Sequence, residues 1–278
     1  MKDVTFLLPC RIETEDRLRN VITSVSYLLK NFPESKVMIQ EEDTKSVFKE
    51  HAFPRIEKYV GDTDNLIHIF EESDEKLFHK TRILNDLCCA AETPIIYNHD
   101  VDVVLPKNSY ELAHHSIVKE GSHAVYPFGC GIYQWAVTYS DELLDKFLSS
   151  HDGNDFDLGV LKDSKQRIPS SIGWGQMIQK AVEVSMGMWN EEFLSWGAED
   201  CEFYYRLNLF GFKVGRVVDD IYHFEHGRTF NSHYHNPKFQ DNDKLWQWIR
   251  NQDRDTLAGY YSNLHYLKVR GEQLNASL

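Results

Sequence analysis

Apolar positions along this chain fall into short runs that alternate with helical stripes. Val4-Thr5-Phe6-Leu7-Leu8 is an almost unbroken apolar run that stops at Pro9, the pattern of a strand buried on both faces. Leu18, Val21, Ile22, Val25, Leu28 and Leu29 recur at steps of three and four, which predicts an amphipathic helix over 15–30. Glu15 and Asp16 suit the positive end of its dipole. The alternation continues with a strand over 36–40 that runs into Glu41-Glu42-Asp43, a short helix over 44–51 and a strand over 66–70. A helix over 81–91 and a strand over 94–98 follow.

This rhythm predicts an α/β fold, a mostly parallel sheet flanked by helices. In such sheets ligands bind beyond the carboxyl ends of the strands. Pro9-Cys10-Arg11, Glu41-Glu42-Asp43 and Asp100-Val101-Asp102 all lie at those ends. Further on, the pattern predicts a helix over 108–119 closed by Gly121 and strands over 123–128 and 131–138. It then predicts a helix over 141–148 capped by Ser140, a helix over 199–210 stopped by Gly211 and a strand over 212–218. Residues 151–175 are polar and rich in Gly, Asp and Ser, and read as one long loop of the functional kind. The tail from Asn231 shows no clear period, and no repeat or linker divides the chain, so a single domain over 1–278 is expected.

Composition narrows the partners. With 42% hydrophobic and 13% aromatic residues the chain can bury a sizeable core. A formal net charge of -13 argues against nucleic acid, whose backbone is bound by Lys and Arg surfaces. An acidic protein that binds a diphosphate needs local positive charge, and a divalent cation held by carboxylates supplies it. The five cysteines are odd in number and lack CxxC spacing, and no apolar stretch is long enough for a bilayer. The expectation is a cytoplasmic protein without a transmembrane segment.

Asn98-His99-Asp100-Val101-Asp102 is the sharpest local signal. Two carboxylates one residue apart at a strand end repel unless a cation or water lies between them. Oxygen ligands of this type suit Mn2+ or Mg2+ shared with substrate phosphates, whereas a solvated turn is the plainer alternative. Trp196-Gly197-Ala198-Glu199-Asp200 precedes a helix. Its acids can serve as caps, or can recognise hydroxyls and take a proton beside an aromatic face that suits a sugar ring. The dipole there should keep the pKa of Asp200 low. His223-Phe224-Glu225-His226 offers two imidazoles on a strand or turn; His233 and His235 read as surface residues.

Taken in order, these segments resemble a family. A Pro-x-Arg strand end, Phe78-His79-Lys80-Thr81-Arg82-Ile83-Leu84-Asn85, Asp-Val-Asp, Trp-Gly-Ala-Glu-Asp and a late His-x-x-His are similar to the ordered motifs of GT-A nucleotide-sugar glycosyltransferases, over about residues 4–237. The likeness is closest to the β-1,4-galactosyltransferase and chondroitin-polymerase type. It implies a GT-A, Rossmann-like domain with about 1–105 binding the nucleotide, about 106–237 serving acceptor and catalysis, and 238–278 as a tail. Asp102 and His226 would hold Mn2+ (or Mg2+) on the donor diphosphate. His223 stands where the galactosyltransferases have a Met ligand. Pro9, Arg11, Phe78, Lys80, Arg82, Asn85 and one or both of Glu41 and Asp43 would serve the nucleotide, with Lys80 in place of the family's Arg. Asp100 would bind the donor ribose or sugar, and Trp174 would be a lid residue. Asp200 would be the catalytic base, with Glu199 and Trp196 binding sugar.

The resemblance therefore implies a metal-dependent, inverting transferase. It would move a sugar, UDP-hexose or UDP-N-acetylhexosamine being the expected donor, to a saccharide or glycoconjugate acceptor. A retaining GT-A enzyme is the first alternative, although retaining relatives have Asn where Asp200 stands. A sugar nucleotidyltransferase is another, but 9–19 holds no glycine to cradle a triphosphate. A carbohydrate-binding module that has lost catalysis is the third, and the presence of Asp102, Asp200 and His226 argues against it.

Overall fold

The computed structural model describes residues 1–169, 171–232 and 235–276. In chain order the elements are β1 (Val4–Cys10), α1 (Glu15–Asn31), β2 (Lys36–Asp43), α2 (Phe53–Val60), β3 (Leu66–Glu72), α3 (Lys80–Ala90), β4 (Ile95–His99) and β5 (Val103–Val104). Next come α4 (Lys107–Glu120), β6 (Ala124–Tyr126), β7 (Gln134–Val137), α5 (Asp141–Leu148), β8 (Lys165–Arg167), β9 (Gly175–Gln179) and α6 (Lys180–Ser185). The chain closes with α7 (Glu199–Leu209), β10 (Val214–Arg216), β11 (Ile221–Phe224), α8 (Phe239–Ile249), α9 (Arg254–Ser262) and α10 (His265–Ala276).

Seven strands form one sheet in the order β10-β6-β9-β4-β1-β2-β3, and four form a smaller sheet, β5-β11-β7-β8. In the large sheet only β9 runs antiparallel to its neighbours β4 and β6. The mostly parallel α/β architecture predicted from the alternation is the one observed. Every residue of β1 is buried, which is why that strand reads as continuous apolar sequence. Thr14 caps α1 by accepting from the Arg17 N–H at 3.4 Å, and Gly121 ends α4 in the left-handed region at φ 72°.

Several expectations shift. The helix expected over 44–51 begins later: residues 48–52 form a π turn and α2 starts at Phe53, with Pro54 in its first turn. The loop expected over 151–175 contains a 3-10 turn, Leu158–Ser164, and β8. β9 was not anticipated, because Gly-Gln-Met-Ile-Gln is short and polar at both ends. The tail folds into α8, α9 and α10. All five cysteines are free, and among the described residues no helix is long and apolar enough to cross a membrane.

Two pairings position the cleft. β4 pairs with β9 so that His99 lies opposite Gly175, and the Asp100 N–H donates to the Trp174 carbonyl at 3.1 Å. A Cβ on Gly175 would lie 2.6 Å from the Asn98 carbonyl, so only glycine lets the strands come this close. β5 pairs with β11, setting His223 opposite Val103, and the Phe224 N–H donates to the Asp102 carbonyl at 2.8 Å.

Behind β4, the Asn98 amide donates to Glu183 Oε2 at 2.7 Å. Glu183 is fully buried, and burial pushes its carboxyl up to about 7 from 4.5. The folded state thus holds a proton that the unfolded chain releases at lower pH. This contribution is present below pH 4.5 and is lost as pH rises to about 7. Glu183→Gln should therefore gain on the wild type by up to about 3 kcal/mol between pH 4.5 and 8. Urea unfolding at the two pH values measures this; an equal difference between the proteins at both would refute it.

Candidate active site

Asp102 leaves β4 on the turn into β5, His223 lies on β11, and His226 follows two residues after that strand. Asp102 Oδ2 is 3.1 Å from His226 Nε2 and 3.6 Å from His223 Nε2. One ligand atom from each residue lies within 4.8 Å of the others. Burial disfavours the Asp102 carboxylate, but the two imidazoles outweigh it and hold the group well below the usual carboxylate range. Burial is the largest single effect on His226 and lowers it, but the hydrogen bond and charge of Asp102, with the Gly227 carbonyl, together raise it above the usual imidazole range. Asp102 Oδ1 is buried without a hydrogen-bond partner, and His226 Nδ1 bonds the Gly227 carbonyl at 3.0 Å, which leaves Nε2 to face inward. One carboxylate and two imidazoles fit a divalent transition metal. The Trp174 indole stacks on His223 at 5.8 Å and 24°. Its backbone is held in the left-handed region at φ 80°, an unusual conformation for a bulky residue.

On the other side of Asp100 lies a second cluster. Lys80 opens α3, and its Nζ is 3.0 Å from Asp100 Oδ1, 3.6 Å from Glu199 Oε1 and 3.7 Å from Asp200 Oδ2. Burial opposes the Lys80 charge, yet three acids raise it well above the usual lysine range. One cation among three carboxylates leaves negative charge in excess. Burial pushes Asp200 up to about 7; Lys80 opposes the shift, and Glu199 and Asp100 add to it. The low pKa expected from the helix dipole is therefore overturned, because desolvation and like charge outweigh a terminus effect typically worth about 1 kcal/mol. The capping role explains only one oxygen here: Glu199 Oε2 accepts from the Gly197 N–H at 3.0 Å. Gly173 passes so near that a Cβ on it would lie 2.6 Å from Asp200 Oδ2.

These clusters open on one cleft of about 620 Å³. One side carries Asp102, His223, His226 and Trp174, and the far side Lys80, Asp100, Glu199 and Trp196. Its third part is formed by Pro9, Arg11 and Phe78, where the Arg11 guanidinium lies 5.5 Å from the Phe78 ring. Asp200 sits at the edge of this group, against Lys80.

Four expected nucleotide residues do not line the cleft. Glu41 is turned away by strand alternation and binds Ser46 Oγ at 2.5 Å and the Phe48 N–H at 2.9 Å. Asp43 accepts from the Thr44 N–H at 2.7 Å. Arg82 pairs with Glu42, Glu71 and Asp86, and Asn85 bonds both backbone groups of Trp189. Within 41–43 it is Glu42 that meets Arg11: its carbonyl accepts from Arg11 Nε at 2.9 Å and its carboxylate is 3.6 Å from Arg11 Nη2. Alternation alone would have separated it from Glu41 and Asp43. Glu13, Arg17, Arg228, Asn231 and Ser232 also line the cleft, without any motif to announce them. His235 is exposed, as expected of a surface residue, and His233 lies outside the described residues.

No protein-family model matches the chain, and no curated protein matches it by sequence. Solved structures do. The mannosyltransferase PcManGT from Pyrobaculum calidifontis, in complex with GDP-Man and Mn2+, superposes with a TM-score of 0.55 at 13% identity, over 98% of this chain and 72% of that one. GalNAc-T7 with UDP, GalNAc and Mn2+ gives 0.55 at 13% identity, over 80% of this chain and 44% of that one. The catalytic domain of Drosophila β1,4-galactosyltransferase 7 in complex with xylobiose gives 0.50 at 15% identity, over 90% and 80%. Likeness at this identity shows the fold, and that fold is GT-A.

Proposed function

We propose that this chain is a metal-dependent, inverting glycosyltransferase. It would move a hexose or N-acetylhexosamine from a nucleotide sugar, with UDP as the expected nucleotide, to a hydroxyl of a glycan or glycoconjugate. One observation carries this reading: a single cleft holds both the Asp102–His223–His226 ligand set and Lys80, Asp100 and Glu199, and Asp200, a carboxyl with a pKa of about 7, stands at its edge 3.7 Å from Lys80. A divalent cation on those three side chains would supply the positive charge that stabilises a departing nucleoside diphosphate. Arg11 and Phe78 are suited to the base, and Asp100 and Lys80 to the sugar hydroxyls. The Trp196 face is 43% exposed and suits an acceptor ring. Asp200 takes the acceptor proton as the new C–O bond forms at the anomeric carbon and the bond to phosphate breaks. A carboxylate at position 200, where Asn could accept no proton, favours inversion over retention.

A thermal-shift panel of UDP, GDP and their sugars, with and without Mn2+, tests the reading. A ligand at 100 times its dissociation constant adds about 2.7 kcal/mol, so the shift is easily seen. At least one nucleoside diphosphate should stabilise the protein only when Mn2+ is present; no shift from any of them would overturn the proposal. Two imidazoles also favour Mn2+ over Mg2+, which prefers all-oxygen shells with bound water. At equal concentrations Mg2+ should give the smaller shift, and a larger one would remove the imidazoles from the ligand set.

A further inference from the structure

The segment after His226 is fastened to two other sides of the cleft through one residue. Asn231 is 9% exposed, and each polar atom of its amide is engaged. Its Oδ1 accepts from the Phe78 N–H at 2.8 Å. Its Nδ2 donates to Glu13 Oε1 at 2.9 Å and to the Lys76 carbonyl at 3.1 Å. The Ser195 hydroxyl is shared between Asn231 Oδ1 at 3.1 Å and the Asn231 carbonyl at 2.9 Å. Glu13 in turn accepts from Thr229 Oγ1 at 2.6 Å, on the same segment.

The ties reach two different parts of the site. Glu13 is two residues beyond Arg11, and Phe78 belongs to the wall beside Arg11. Ser195 precedes Trp196, and Asn231 follows His226 by five residues. The backbone from Ser195 to Ala198 needs such support. Ser195 and Ala198 hold φ of 60° and 65°, and Gly197 holds 140°. Conformations of this kind persist only where the surroundings over-determine them. Asn236 and Asn242 bond the same loop at the Leu194 and Trp196 carbonyls. Asn231 alone among these three also bonds Glu13 and Phe78 of the donor side.

We propose that Asn231 is a positioning residue that couples the donor side of the cleft to the loop carrying Trp196. Movement of the segment after His226 is passed through the Asn231 amide to Ser195. A ligand beside Arg11 and Phe78 and one against Trp196 are thereby coupled. The identity of the two ligands rests on the glycosyltransferase reading; the strut itself does not.

Hydrogen exchange on the ligand-free protein tests the strut. Asn231→Ala should speed exchange at the Phe78 amide and over 195–198 together, each by on the order of tenfold, the effect of losing one buried hydrogen bond. Unchanged exchange over 195–198 would overturn the proposal. Asn231→Asp should act likewise, since it sets a carboxylate against Glu13. Adding Glu13→Gln should recover much of the protection; no recovery would mean that the Glu13 tie carries nothing. The coupling is read from the 19F resonance of Trp196 in protein labelled with 5-fluorotryptophan, on adding UDP or GDP with Mn2+. The wild type should shift, and Asn231→Ala should bind the nucleotide yet leave the resonance in place. Equal shifts in both proteins would sink the coupling. If no nucleotide binds the wild type, the proposed function fails, and the exchange measurement still decides the strut.

Discussion

Asp200→Asn should lower turnover by roughly 10³-fold, within the range general-base catalysis contributes. Binding of nucleoside diphosphate and Mn2+ should stay within a few-fold of wild type, since Asp200 lies apart from the Asp102 cluster. The carboxyl at about 7 sharpens the expectation. Only the deprotonated form accepts a proton, so wild-type turnover should rise with pH up to about 7 and then level off. A base tuned near the working pH is a better acceptor than one at 3.8. The asparagine variant should lose that acid limb along with its rate. An α-linked donor should yield a β-linked product, seen in the NMR coupling of the anomeric proton. A variant that keeps a tenth of the activity, or an α-linked product, would remove Asp200 from the role of base.

The second large effect concerns Asp102. Asp102→Ala deletes the one carboxylate of the ligand set and leaves two imidazoles facing each other. Mn2+ affinity should fall by more than about 100-fold, since even the partners of a ligand account for ten- to a hundredfold. Mn2+-dependent stabilisation by nucleoside diphosphate should vanish with it. Free Mn2+ counted by electron paramagnetic resonance reads this without any acceptor or turnover. His226→Ala should weaken binding less, because Asp102 and His223 stay. Unchanged Mn2+ binding in the Asp102 variant would move the metal elsewhere.

Much of this was legible in the chain. The strip over 15–30 lies within one residue of the observed α1, because a helix against a buried sheet must show its apolar face. Asp100 and Asp102 stood out as two carboxylates one residue apart at a strand end, with a solvated turn as the plainer alternative. What stayed hidden depended on contacts distant in sequence. The two-residue β5 has no period to detect, yet its pairing with β11 brings His223 and His226 to Asp102. The elevated pKa of Asp200 comes from burial, which no neighbour in sequence reports, and from Glu199 beside it and Asp100, 100 residues away. Glu41 and Glu42 are identical in type, and only the face of β2 separates a residue bound to Ser46 from one that steadies Arg11.

The antiparallel β9 also decides when the centre of the large sheet can close. β3, β2, β1 and β4 are complete once residue 99 has been synthesised, and until β9 emerges they have only one another to pair with. β4 then waits as an open edge of five buried residues, while some 75 further residues must emerge before β9 arrives. β6 cannot join directly, because its partner on that side is β9 itself. A nascent chain stalled before residue 175 therefore exposes an apolar strand edge, the surface on which aggregation starts and chaperones act. The strand that draws Trp174 over Asp100 is also the last piece needed to close the centre of the sheet.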